Sequence, residues 1–111
     1  ETGHALLDRI EGYLDGEPED FADVTVALTL PTDRRRVLEA VREIPYGESA
    51  AVDQLLRMTA GLDESEEDRR TVVEALAGNP APLLVPDHRV RDGPSAAPDD
   101  VTDRCRRIEG I

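Results

Sequence analysis

Lysine is missing altogether: the 13 basic residues of this 111-residue chain are all arginine. Tryptophan is missing too, aromatic residues make up only 3% of the chain, and there is one methionine and one cysteine, Cys105. A single thiol cannot close an internal disulfide, and no apolar run reaches signal-peptide or membrane-spanning length. These absences exclude a disulfide-stapled or membrane-embedded protein and give the cytoplasm as the expected location. Nothing in the chain asks for a cofactor or a metal.

What is abundant is negative charge. Against those 13 arginines stand 25 acidic residues, a formal net charge of -12. A lysine-free, acidic, aromatic-poor composition fits a protein adapted to molar intracellular salt, where a dense acidic surface stays hydrated and its self-repulsion is screened. The competing explanation is an acidic protein from a GC-rich genome, which favours arginine by codon usage. With 39% hydrophobic residues the chain is expected to form one small domain, residues 1–111, with a modest single core. It opens at Glu1 rather than methionine, as expected where flanking sequence is absent.

Apolar spacing predicts a first amphipathic helix through Leu6, Leu7, Ile10 and Leu14, ended near Gly16 and Pro18. Val24, Val26, Leu28 and Leu30 alternate as a short extended segment. Thr32 is the expected cap of a second helix burying Val37, Leu38, Val41 and Ile44, and Pro45 its stop. Ser49 is the expected cap of a third helix through Val52, Leu55, Leu56 and Thr59, closed by Gly61. Ser65 starts a fourth through Val72, Val73 and Leu76, with Glu66, Glu67 and Asp68 in its favourable first turn. The third and fourth helices have the proportions of a helix-turn-helix. Residues 80–98 hold five of the eight prolines around an apolar Leu83-Leu84-Val85 run and read as a wing-like loop with short strands. A last helix follows Asp99 and buries Val101, Cys105 and Ile108.

Two stretches are distinctive as sequences: Asn79-Pro80 leading to Pro86-Asp87-His88-Arg89-Val90, and Ile44-Pro45-Tyr46-Gly47-Glu48-Ser49. Upstream stand Tyr13-Leu14-Asp15-Gly16 and Phe21, and Glu109 closes the last helix. In that order they resemble the DNA-binding, active-site domain of the O6-alkylguanine-DNA alkyltransferases, whose motif reads Pro-Cys-His-Arg-Val where this chain has Asp87. The resemblance implies a mainly α, winged helix-turn-helix fold with short strands. It also implies a lesion pocket of Tyr46, Asn79, Pro86, Asp87, His88, Arg89 and Glu109. Ser49, Arg69, Arg70 and Thr71 would then meet DNA, with Arg70 filling the gap left by a flipped nucleotide.

Alkyl transfer from guanine O6 needs a soft, strong nucleophile, and a carboxylate is a hard, weak one. With Asp87 at the nucleophile position no catalytic residue remains, so the chain is expected not to be an enzyme. Its expected function is to recognise alkylated guanine in double-stranded DNA for repair, acting with other repair proteins. The alternatives are a decayed structural or protein-interaction domain without DNA binding and, more remotely, an alkyltransferase or hydrolase that uses Asp87. Several of these residues also have structural readings. Arg70 has Glu66, Glu67 and Glu74 at salt-bridge spacing, Asp87 suits a turn hydrogen-bonded to backbone N–H groups, and Cys105 sits on an apolar stripe.

Overall fold

The computed structural model describes residues 2–19, 21, 24 and 28–111, with side chains from residue 6 onward. The fold is mainly helical: α1 Thr2–Leu14, α2 Thr32–Val41, α3 Val52–Met58, α4 Glu66–Ala77 and α5 Asp99–Glu109, with a 3-10 turn over Asp87–Arg89. Of the extended segment expected at 24–30, residues 25–27 lie outside the described residues. Leu28 and Leu30 pack against the core without forming a strand.

Helical spacing puts Val37, Leu38 and Val41 of α2, Val52, Leu55 and Leu56 of α3, and Val72, Ala75 and Leu76 of α4 on facing stripes. The three helices pack together and share one apolar core with Ile44, Ala50, Val85 and Val90. Leu38, Leu55, Leu56 and Leu76 are each 0% exposed, and each such side chain contributes about 2 kcal/mol by burial. A second cluster joins α1 to α5: Tyr13, Phe21 and Cys105 are buried there, flanked by Leu6, Ile10, Leu14, Tyr46 and Val101. The Asp87–Arg89 turn touches both α2 and α5 and so links the two clusters.

Helix starts divide by the range of their partners. Ser65 caps α4 as expected: its Oγ accepts from Asp68 N at 3.1 Å. Its own N–H donates to Asp63 Oδ1 at 2.9 Å, and Asp63 N donates to Asp68 Oδ2 at 2.8 Å. The acidic run is therefore folded onto its own backbone, and hydrogen bonds from Ser65 hold the Asp63 carboxyl below its usual range. Ser65→Ala is expected to cost about 1 kcal/mol in urea denaturation; an unchanged midpoint would show that the cap does not hold α4.

Ser49 does not cap α3, which has Ala51 at its N-cap. The Gln54 side chain accepts from Ala51 N at 2.9 Å, and Asp92, far along the chain, accepts from Val52 N at 2.7 Å. Nor does Thr32 cap α2: it is the first helical residue and Pro31 precedes it. The short strands expected at 80–98 reduce to two isolated bridges, Ala50 with Val90 and Pro82 with Val85. Prolines at 80, 82, 86, 94 and 98 remove N–H donors, so no ladder extends. Among the described residues no helix is long and apolar enough to cross a membrane, and no group of metal-ligating side chains comes together.

Candidate functional site

The site is built on the turn between α4 and α5. Asn79, just past the α4 C-cap, is buried and organises it: its Nδ2 donates to Val85 O and to Asp87 Oδ2, both at 3.0 Å, while its Oδ1 accepts from Ala81 N at 3.0 Å. Pro86 is buried and precedes the 3-10 turn as its N-cap. Asp87 itself is 1% exposed. Besides Asn79 it accepts from Ser95 Oγ at 2.7 Å and from Ala96 N at 3.0 Å, so the loop after Gly93 folds back over its carboxylate. Thr102 of α5 donates to Ser95 Oγ at 3.0 Å and anchors that loop.

The next two residues turn the other way. His88 Nε2 lies 2.6 Å from Glu109 Oε2 and 3.1 Å from the Tyr13 hydroxyl, which donates to the same carboxylate oxygen. Arg89, 2% exposed, donates Nε to Glu109 Oε1 at 2.7 Å and Nη2 to Oε2 at 3.2 Å. Its Nη1 donates to Ile44 O at 2.8 Å and its guanidinium lies over the Tyr46 ring. Gly47 N completes the set, donating to Glu109 Oε1 at 3.0 Å. Gly47 sits at φ +81, a left-handed conformation that a side chain would strain. That explains why a glycine follows Tyr46: only this backbone shape presents the N–H to Glu109.

Glu109 is thus placed by the last turn of α5, where Gly110 takes the left-handed C-cap at φ +75. Burial pushes its carboxyl up, but hydrogen bonds from His88, Arg89, Tyr13 and Gly47 outweigh burial and hold it down at about 2. Burial, reinforced by the bond to Glu109, pushes the Tyr13 phenol well above its ordinary value. Cys105, expected in the core, is 1% exposed beside Tyr13. Burial and the charges of Glu109 and Asp87 push its thiol up, although a hydrogen bond with Tyr13 opposes them.

The structure therefore brings together Tyr46, Asn79, Pro86, Asp87, His88, Arg89 and Glu109, but in two back-to-back networks. Asp87 bonds to the loop after α4, and His88, Arg89 and Glu109 bond to the α1–α5 interface. Ser49, Arg69, Arg70 and Thr71 are dispersed. Ser49 faces Arg91. Arg69 pairs with Asp53 and Thr71 Oγ1 bonds back to Glu67 O. Arg70 is exposed on α4 and, among the described residues, makes no ion pair; Glu74 is held by Arg34 at 2.9 Å. Tyr13 belongs to the buried network although sequence reasoning used it only as a landmark. Ser95, Ala96 and Thr102 carry no local signal that would have placed them on Asp87.

Residues 32–97 match the family model described as 6-O-methylguanine DNA methyltransferase, DNA binding domain. A methylated-DNA–protein-cysteine methyltransferase of Methanopyrus kandleri is 37% identical over 89 residues, covering 80% of this chain and 63% of that protein. Proteins of the same name from Methanothermobacter thermautotrophicus and Archaeoglobus fulgidus are 35% and 32% identical, covering 77% and 74% of this chain. The chain spans about half to just under two thirds of the length of these relatives. Their names correct the expectation that the chain is not an enzyme: it is similar to proteins named as methyltransferases. The identity of one side chain, Asp87, was too narrow a basis for that expectation, because it says nothing of the other groups the fold assembles.

Proposed function

The chain belongs to the 6-O-methylguanine DNA methyltransferase family and carries its DNA-binding domain, and from that premise we propose that residues 1–111 act as one repair domain recognising O6-alkylated guanine in double-stranded DNA. In this reading α4 lies along the minor groove. The alkylated nucleotide is flipped out of the stack toward the turn at Pro86–Arg89, because a paired guanine presents O6 in the major groove, out of reach of a protein that approaches from the minor groove. Arg69 and Thr71 flank Arg70 on the helix that meets the groove.

The observation that supports this most is the state of Arg70. Arg34, Arg57 and Arg69, on or facing α4, are each held by a carboxylate, Glu74, Glu64 and Asp53 respectively. Arg70 stands exposed midway along α4 without one among the described residues, although Glu66, Glu67 and Glu74 lie at helical spacing. A net charge of -12 repels a polyanion at low salt, and at molar salt both that repulsion and the counterion-release gain shrink. Binding then rests on burial, shape and hydrogen bonds.

Fluorescence anisotropy with duplexes carrying O6-methylguanine or plain guanine, from low to molar salt, tests the reading. The alkylated duplex is expected to bind more tightly, and Arg70→Ala to weaken binding about tenfold. Failure of either duplex to bind at any salt concentration would sink the proposal. One observation favours a second reading, a structural or protein-interaction domain without DNA binding: the loop at Ser95 and Ala96 is bonded over Asp87. That reading takes over if the folded protein shows no DNA binding in the same titration.

A further inference from the structure

Among the described residues, two arginines on the other side of the Asp87–Arg89 turn have only neutral partners. Arg91 donates to Ser49 Oγ at 3.4 Å and to Gln54 Oε1 at 3.3 Å. Arg106 of α5 donates Nε to His88 O at 2.9 Å and Nη2 to Val90 O at 3.3 Å. Arg34, Arg57, Arg69 and Arg89, in contrast, each sit on a carboxylate. The nearby acid Asp92 is turned away, accepting from Val52 N at 2.7 Å to start α3. Both arginines, with Ser49, His88 and Ile111, line a cavity of about 230 Å³.

We propose that this cavity binds a phosphate group. Two guanidinium groups and a hydroxyl offer convergent donors matched to a tetrahedral oxyanion, and no Asp or Glu side chain lines the cavity. The framework is already set. Ala50 N donates to Arg89 O at 2.8 Å and Arg91 N donates to Ala50 O at 3.0 Å, which holds Ser49 and Arg91 side by side. Arg106 is aimed by the two carbonyls. Arg91, in contrast, is exposed and holds only long, weak hydrogen bonds, so it turns onto an incoming anion at little cost. A water's share of liquid volume is about 30 Å³, so 230 Å³ holds a phosphate with part of its hydration. The phosphate is either a free one or a phosphodiester of a DNA backbone, and the chemistry of the cavity does not require that the protein bind DNA.

The test is an NMR titration of the whole chain with inorganic phosphate, the ionic strength being held constant with chloride. Saturable shifts are expected at the amides of Ser49, Arg91 and Arg106. Arg91→Ala should raise the apparent Kd at least tenfold while leaving the thermal midpoint in place, because the removed side chain is exposed and not part of the core. Shifts that grow without saturating, or an affinity that Arg91→Ala leaves alone, overturn the proposal. A parallel titration with plain duplex DNA identifies the source. Competition between phosphate and duplex that disappears in Arg91→Ala marks a backbone phosphodiester, and saturation by phosphate with DNA binding either undisturbed or absent marks a free phosphate. Both support the site, and loss of the lesion reading leaves the phosphate titration as it was.

Discussion

Replacing Glu109 by glutamine is expected to cost about 3–5 kcal/mol of folding stability, the range for breaking a buried ion pair from one side. The carboxylate is 0% exposed at its side chain and receives donors from Gly47, His88, Arg89 and Tyr13. An amide in its place has one acceptor atom for these donors, and its NH2 group must face another N–H or O–H whichever way it is turned. Arg89 would keep its charge in the core with Ile44 O and at most the one amide oxygen to accept from it. A small domain has about 5–15 kcal/mol to lose, so the variant should unfold at much lower urea. A loss under about 1 kcal/mol would show that the network is not what joins the two clusters.

The same carboxylate sets an acid limit. Its folded value of about 2 lies below the ordinary 4.5, so the stability it contributes is fully present above about 4.5 and is lost as pH falls toward 2. The amount is on the order of 3 kcal/mol. Glu109→Gln should flatten that limb of the stability–pH curve, and an unchanged slope would remove Glu109 as its cause.

How much of this was legible in the sequence depends on how far each residue's partner lies along the chain. The α4 start was readable from Ser65 and the acids behind it because every bond there is local. The α3 start was not: the group that serves it is Asp92, and Ser49 looked the better cap only while Asp92 was out of view. The Leu83-Leu84-Val85 run suggested a short strand or turn, and the surrounding prolines leave a turn with Leu83 at φ +79. Apolar spacing found the helices because burial alone determines them. The Tyr13, His88, Arg89 and Glu109 network joins α1, the turn and the end of α5. It was visible through family motifs and through no spacing rule. Nothing local marked Arg91 and Arg106 as neighbours, since Arg106 reaches the turn only once α5 is docked.

Asp87 is where structural and recognition roles are separable, because two substitutions there remove different things. Asp87→Ala strands Asn79 Nδ2, Ser95 Oγ and Ala96 N around a buried gap. Asn79 keeps its bond to Val85 O and Ser95 keeps Thr102, so the expected cost is about 2–3 kcal/mol rather than the sum of three lost bonds. Asp87→Asn keeps the bonds from Asn79 and Ala96 and removes the charge. Its carbonyl can take the position of Oδ2 and accept from both Asn79 and Ala96, and its NH2 then faces the Ser95 hydroxyl, which already accepts from Ala97 N and Thr102 and takes this bond by turning its own hydrogen onto Thr102 Oγ1. That variant should melt within about 1 kcal/mol of the parent. On lesion binding the change is of the opposite kind. A carboxylate beside the acceptor edge of guanine, O6 and N7, is repulsive, and the amide removes that charge. If the flipped base meets the turn as proposed, Asp87→Asn should tighten binding to O6-methylguanine duplex about tenfold, equivalent to about 1.4 kcal/mol, and change plain-duplex affinity little. Anisotropy titrations of both duplexes with parent and variant measure this directly. Equal affinities of the parent and a fully folded Asp87→Asn for the alkylated duplex would mean that the lesion does not reach this turn, and would leave Asp87 as the fastener of the Ser95 loop alone.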